Sequence, residues 1–117
     1  MKAVRVILSD EAEEVYKYLN EQAPKSKVEK TILNAINHKI ELIKANIHYG
    51  NPVGKDYIPE EYKEKYGITN LFRVELPNYW RMLYSLTDSE NKIEIVAFVL
   101  DLMGHDKYNK KFGYKKK

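Results

Sequence analysis

Hydrophobic and polar positions change period several times along the chain, and each change marks an element. Lys2-Ala-Val-Arg-Val-Ile-Leu8 is short and rich in β-branched residues, which predicts an opening strand. Ser9 followed by Asp10 then supplies N-cap chemistry, and Ala12, Val15, Tyr16 and Leu19 fall at helical spacing. Pro24 stops that helix. Ser26 with Glu29 three residues later has the form of a capping box for a second, longer one. Its apolar stripe is Val28, Ile32, Ala35, Ile36, Ile40, Ile43 and Ile47, and its polar flank holds Lys30, Asn34, Lys39 and Lys44. The short link between the two helices predicts antiparallel packing.

Tyr49-Gly-Asn-Pro-Val-Gly54 breaks the helical period, and Pro59-Glu-Glu-Tyr-Lys-Glu-Lys65 has the character of a single turn or short helix before Gly67. Three strands are predicted next, at 69–76, 80–87 and 92–99, joined by Pro77-Asn-Tyr79 and Asp88-Ser-Glu-Asn91. Alternation is lost from Ile95 to Leu100, as expected for a central strand covered on both faces, beside the N-terminal strand. The expected fold is therefore α+β over residues 1–117: an N-terminal strand, a two-helix hairpin, then a three-stranded antiparallel meander. Together these form a four-stranded sheet with the helices on one face.

Composition narrows the function classes. A chain of 117 residues, 44% hydrophobic, supports one compact domain with a single core. Lys plus Arg is 20 against 17 for Asp plus Glu, a net charge of +3, but the charge is uneven. Lys107, Lys110, Lys111, Lys115, Lys116 and Lys117 gather in the tail, whereas acidic residues cluster at Asp10 to Glu14 and Glu60 to Glu64. The absence of cysteine excludes a disulfide framework, a thiol nucleophile and a thiolate metal site, and fits a cytoplasmic address. No apolar run approaches the roughly 20 residues that span a bilayer, so no membrane partner is expected.

Strand parity concentrates the candidate chemistry. In the first strand of the meander, Phe72, Val74 and Leu76 share one face, and Leu71, Arg73 and Glu75 share the other. If Pro77-Asn-Tyr79 is a three-residue loop, Arg81 stands opposite Glu75 on the second face. A two-residue loop puts Arg81 across from Val74 instead. The plain reading is an Arg81–Glu75 cross-strand ion pair, worth at most about 1 kcal/mol if exposed. His105, after Gly104, lies at a strand end where small sheets place sites, although a lone surface histidine is commonly inert. Tyr108 and Tyr114 either stack on bases or pack the tail against the sheet, and Lys55 and Lys107 either hold phosphate or are simply solvated. No histidine–carboxylate set has metal-ligand spacing, and no Gly-rich phosphate loop, nucleophile elbow or dinucleotide fingerprint is present, so no metal or cofactor is expected.

The order of elements and several short motifs resemble the RelE/ParE toxin superfamily. Leu71-Phe-Arg-Val-Glu-Leu76 is similar to that family's aromatic, basic, apolar strand, and Trp80-Arg-Met-Leu-Tyr84 to its aromatic-Arg-apolar-apolar-Tyr strand. Val96 to His105 is similar to its last strand ending in Gly-His, and Asn51-Pro-Val-Gly-Lys55 to the loop leading into its sheet. The resemblance implies a metal-free endoribonuclease that cuts mRNA on the ribosome and is silenced by a cognate antitoxin protein. In that reading Arg81 stabilises the pentacoordinate phosphate, Arg73 holds the backbone, His105 acts as general acid or orients the phosphate, and Tyr108 or Tyr114 stacks a base. Glu75 departs from the family pattern, standing where active members often carry a second lysine. Either it is the general base or the site is weaker. Asp106 also departs, lowering local positive charge after His105. The alternative is a catalytically inactive binding module of the same fold, or a ParE-like gyrase inhibitor.

Overall fold

The structure is a computed structural model that describes residues 4–87 and 92–100, with side chains in the latter stretch at Lys92, Ile93 and Ile95. Its elements are β1 (Arg5–Leu8), α1 (Asp10–Gln22), α2 (Lys27–Ala45), β2 (Asn51–Pro52), α3 (Glu60–Tyr66), β3 (Phe72–Glu75), β4 (Trp80–Thr87) and β5 (Lys92–Leu100). Single 3-10 turns occupy Lys55–Tyr57 and Pro77–Tyr79.

The helix signals act as their chemistry predicts. The Ser9 hydroxyl accepts from the Ala12 N–H at 3.1 Å and caps α1. Ser26 caps α2, accepting weakly from the Glu29 N–H at 3.5 Å while its hydroxyl donates to the Glu29 carboxylate. The two helices form a hairpin, cross-linked where the Tyr16 hydroxyl donates to Asn37 Oδ1 at 2.6 Å.

The sheet has five strands in the order β1-β5-β4-β3-β2, one more than expected. β1 runs parallel to β5, and the remaining pairs are antiparallel. The additional strand is the two-residue β2, which sets Asn51 opposite Arg73 and Pro52 opposite Phe72. It is followed by a bond from the Val53 N–H to the Leu71 carbonyl at 2.8 Å. β5 lies inside the sheet, between β1 and β4, and so beside the N-terminal strand as expected.

The main core lies between the helix hairpin and one sheet face. Ala12, Val15 and Leu19 of α1 and Ile32, Ile36 and Ile43 of α2 meet Val74, Met82, Tyr84, Ile93 and Ile95. Burying each large apolar side chain of this set contributes about 1.5–3 kcal/mol before conformational entropy is deducted.

Helical cover is not confined to that face. Leu71 and Leu83 have the opposite parity and would expose an apolar patch, so Ile58, Tyr62 and Ile68, carried by and around α3, close over them as a second small core. Gly67, at φ 64°, ends α3 in the left-handed conformation. The Tyr66 hydroxyl donates to Glu11 Oε1 at 3.0 Å, and Lys65 lies 3.7 Å from Glu11 Oε2, pinning α3 to the start of α1. Burial pushes the Tyr66 phenol up, and the Glu11 carboxylate beside Lys65 raises that ammonium.

β3 begins three residues later than the alternation suggests, because Asn70 replaces backbone pairing with its side chain. Asn70 Oδ1 accepts from the Leu86 N–H at 2.8 Å and from the Ser85 hydroxyl at 3.2 Å, while Nδ2 donates to the Leu86 carbonyl at 2.9 Å. The ladder is thus continued by an amide that mimics a peptide unit.

Candidate functional site

The Pro77–Tyr79 connection is the three-residue loop, so Glu75 pairs with Arg81 and the two-residue alternative is excluded. Asn78 (φ 59°) and Tyr79 (φ 66°) both adopt the left-handed region. Asparagine tolerates that region, whereas an ordinary residue such as Tyr79 pays roughly 1–2 kcal/mol. The turn places Arg81 on the face turned away from α1 and α2. Its neighbours Trp80 and Met82 enter the main core instead.

Arg73, Glu75 and Arg81 meet there. Arg73 Nε lies 3.8 Å and Arg81 Nε 3.7 Å from the same carboxylate oxygen, Oε2 of Glu75. A bidentate pair would bring both guanidinium edges within hydrogen-bond range, so these contacts are electrostatic rather than forked. The Glu75 side chain is 65% exposed, Arg73 41% and Arg81 27%. Exposed pairs of this kind are worth about 0–1 kcal/mol each, so an incoming anion can displace the carboxylate at little cost. The two Nε atoms are separated by no more than the sum of the two contacts, and both are themselves buried beneath the exposed ends of their side chains.

Of the other residues singled out in the sequence, Lys55 is exposed in the 3-10 turn between β2 and α3, outside this trio. His105, Lys107, Tyr108 and Tyr114 lie outside the described residues. Among the described residues, no group of three His, Asp or Glu side chains could hold a metal ion, and no helix is long and apolar enough to cross a membrane.

Beside the trio is a cleft of about 330 Å³ lined by Lys39, Tyr49, Gly50, Asn51, Arg73, Val74 and Glu75. Its outer wall is the turn after α2, fixed from beneath by Tyr84. The buried Tyr84 hydroxyl donates to the Ile47 carbonyl at 2.9 Å and accepts from the Gly50 N–H at 2.9 Å, and its ring stacks on Phe72 at 5.2 Å. Burial pushes this phenol up, and the Gly50 N–H opposes that shift. A Cβ at Gly50 would stand 2.9 Å from Tyr84 Cε1 and 3.1 Å from the Arg73 carbonyl oxygen, so glycine permits this close approach. Lys39 Nζ donates to the Tyr49 hydroxyl at 3.0 Å on one side of the cleft. Sequence reasoning read Lys39 only as helix flank and Tyr49 only as the start of a break. Nothing in their spacing signals that the fold brings them to the same cleft as Arg73.

The helix hairpin lies on one face of a mixed sheet in which edge strand β1 runs parallel to β5, and this arrangement matches the RelE fold. The crystal structure of the isolated E. coli RelE toxin superposes on 93% of this chain and 98% of that one, with a TM-score of 0.54 and 12% identity. No protein-family model and no curated protein sequence matches the chain.

Proposed function

We propose that this protein is the toxin of a toxin–antitoxin pair and cleaves messenger RNA on the ribosome without a metal. The observation that carries the reading is the convergence of Arg73 and Arg81 on one oxygen of Glu75, on the sheet face opposite the helix hairpin. The likeness in fold to a protein described as a toxin supports it. In this mechanism the ribose 2′-hydroxyl attacks the adjacent phosphorus and the bond to the 5′ oxygen breaks, leaving a 2′,3′-cyclic phosphate and a 5′-hydroxyl. Glu75 takes the 2′ proton, and His105 returns one to the departing oxygen. Arg81 stabilises the charge that develops on the phosphoryl oxygens, and Arg73 holds the strand. Lys55 and Lys107 contact flanking phosphates, and Tyr108 or Tyr114 stacks a base. The cognate antitoxin silences the protein by covering this face.

The experiment is induced expression of wild type beside Arg81→Ala, with primer extension on messenger RNA from translating extracts. Wild type should arrest growth and leave discrete cleavage ends. Arg81→Ala should lose about 2–4 kcal/mol of transition-state stabilisation, roughly 10²–10³ in rate, while keeping the fold. A wild type that neither harms cells nor cuts message in active extracts overturns the nuclease reading. The ion pairing of Arg81 with Glu75 favours one second reading, in which the face is a binding surface and its charges are mutually neutralised. Toxicity without RNA ends, retained by Glu75→Gln, would select it.

A further inference from the structure

The cleft between the α2 turn and β3 is distinct from the guanidinium–carboxylate trio, although it shares Arg73 and Glu75 with it. Its chemistry begins with the end of a strand. The Tyr49 N–H is turned to the Asn46 carbonyl at 2.9 Å, closing the turn after α2, so β2 cannot extend backward to face Glu75. β3 nevertheless continues to Glu75. On the β4 side, the Leu76 N–H donates to the Trp80 carbonyl at 2.9 Å, which makes Glu75 and Arg81 a non-hydrogen-bonded pair. The backbone N–H and C=O of Glu75 are therefore directed away from β4, past the end of β2, into the cleft. One cleft wall carries Lys39 Nζ beside the Tyr49 hydroxyl, and the other is formed by Arg73, Val74 and Glu75 of β3.

We propose that this cleft is a nucleotide subsite. It would hold the residue of single-stranded RNA adjoining the phosphate that Arg73 and Arg81 contact, which rests on the reading of that face as an RNA site. Lys39 supplies the phosphate contact, Tyr49, an exposed residue, supports the base with its ring, and the Glu75 backbone pair meets one base edge. The cleft volume suits one nucleotide rather than a long ligand. An extended peptide is disfavoured by the same geometry. The next residue with outward parity after Glu75 is Pro77, which has no N–H, so a partner strand would find a single residue to pair with. The basic and aromatic walls match a phosphate and a base instead.

The test uses the full chain and a hexameric single-stranded RNA of mixed sequence, 2′-O-methylated so that it cannot be cut. Binding is followed by amide chemical shifts and by fluorescence at several salt concentrations. Binding should shift the Tyr49, Gly50 and Glu75 amides as well as those of Arg73 and Arg81. Lys39→Gln should flatten the dependence of log affinity on log salt by about 0.7. Tyr49→Leu should weaken binding roughly tenfold. In the free variants, amides away from residue 39, its α2 neighbours and the 47–51 turn should stay unshifted, which separates lost contact from lost fold. If Arg81→Ala weakens binding while both cleft variants bind as wild type does, the subsite is refuted and the RNA reading of the face survives. If wild type does not bind the oligonucleotide, both fall.

Discussion

Tyr84→Phe is the sharpest test of how the site is held in place, because it removes one oxygen and nothing else. The ring remains stacked on Phe72 and filling the core, so no cavity forms. Two bonds are lost. The Gly50 N–H, on a buried residue, loses its acceptor, and the half-buried Ile47 carbonyl loses its donor. A stranded buried N–H costs about 1–3 kcal/mol, and a carbonyl that water can reach costs less, so the variant should be about 2–3 kcal/mol less stable. For a domain of this size that corresponds to a fall in Tm of roughly 10 °C. Urea unfolding followed by the fluorescence of Trp80, the only tryptophan and a buried one, measures it directly.

The pH dependence gives an independent reading. Burial raises the folded-state phenol above its ordinary value of about 10, so the native protein favours the neutral form. Its contribution is complete below that value and disappears as pH rises through the raised one. Wild type should therefore lose stability on the alkaline limb more steeply than Tyr84→Phe does. The Tyr66 phenol, also raised, remains in both proteins and cancels in the comparison. A variant within about 0.5 kcal/mol of wild type at neutral pH, with a parallel alkaline limb, would refute the argument that Tyr84 anchors the cleft wall.

Two further substitutions probe the trio and the ladder. Glu75→Gln should reduce RNA cleavage about 100-fold through loss of the base. It should also steepen the salt dependence of binding by about 0.7, as a guanidinium freed from the carboxylate takes a phosphate; cleavage assays and salt titrations read the two effects separately. Asn70→Ala should cost about 2–3 kcal/mol, since it strands the Leu86 N–H and the buried Ser85 hydroxyl. Hydrogen exchange at the Leu86 amide should accelerate well before global unfolding.

How much of this could be read beforehand depends on whether the signal was local. β4 begins and ends at the predicted residues because its alternation is bounded by a Pro-Asn turn and by polar residues, all within one stretch of chain. The hydroxyl caps at Ser9 and Ser26 are local for the same reason. β2 was not legible. Two residues, one a proline, have no periodicity, and their strand exists because Tyr84, over thirty residues away, holds the preceding turn. The apolar character of Leu71 and Leu83 was visible, but not that α3 would cover them. At the site, parity brought Arg73, Glu75 and Arg81 together once the loop length was known. Lys39 looked no different from Lys30 or Lys44 on the same helix flank.

The two halves of the site share a mechanical origin in β4. Arg81 and Leu83 point to one face, and Met82 and Tyr84 to the other, so one strand supplies a guanidinium of the trio and the phenol that fixes the cleft wall. A slip of one residue would exchange them, burying a guanidinium under the helices and exposing the anchor. The register is pinned three ways: by the Asn70 amide at one end, by the irregularity between Leu83 and Tyr84 in the pairing with β5, and by the left-handed turn at Asn78 and Tyr79 at the other end. A relaxed two-residue turn would remove the cost of holding Tyr79 at positive φ, but it would also set Arg81 against Val74. The strain at Tyr79 is thus best understood as the cost of keeping Arg81 opposite Glu75.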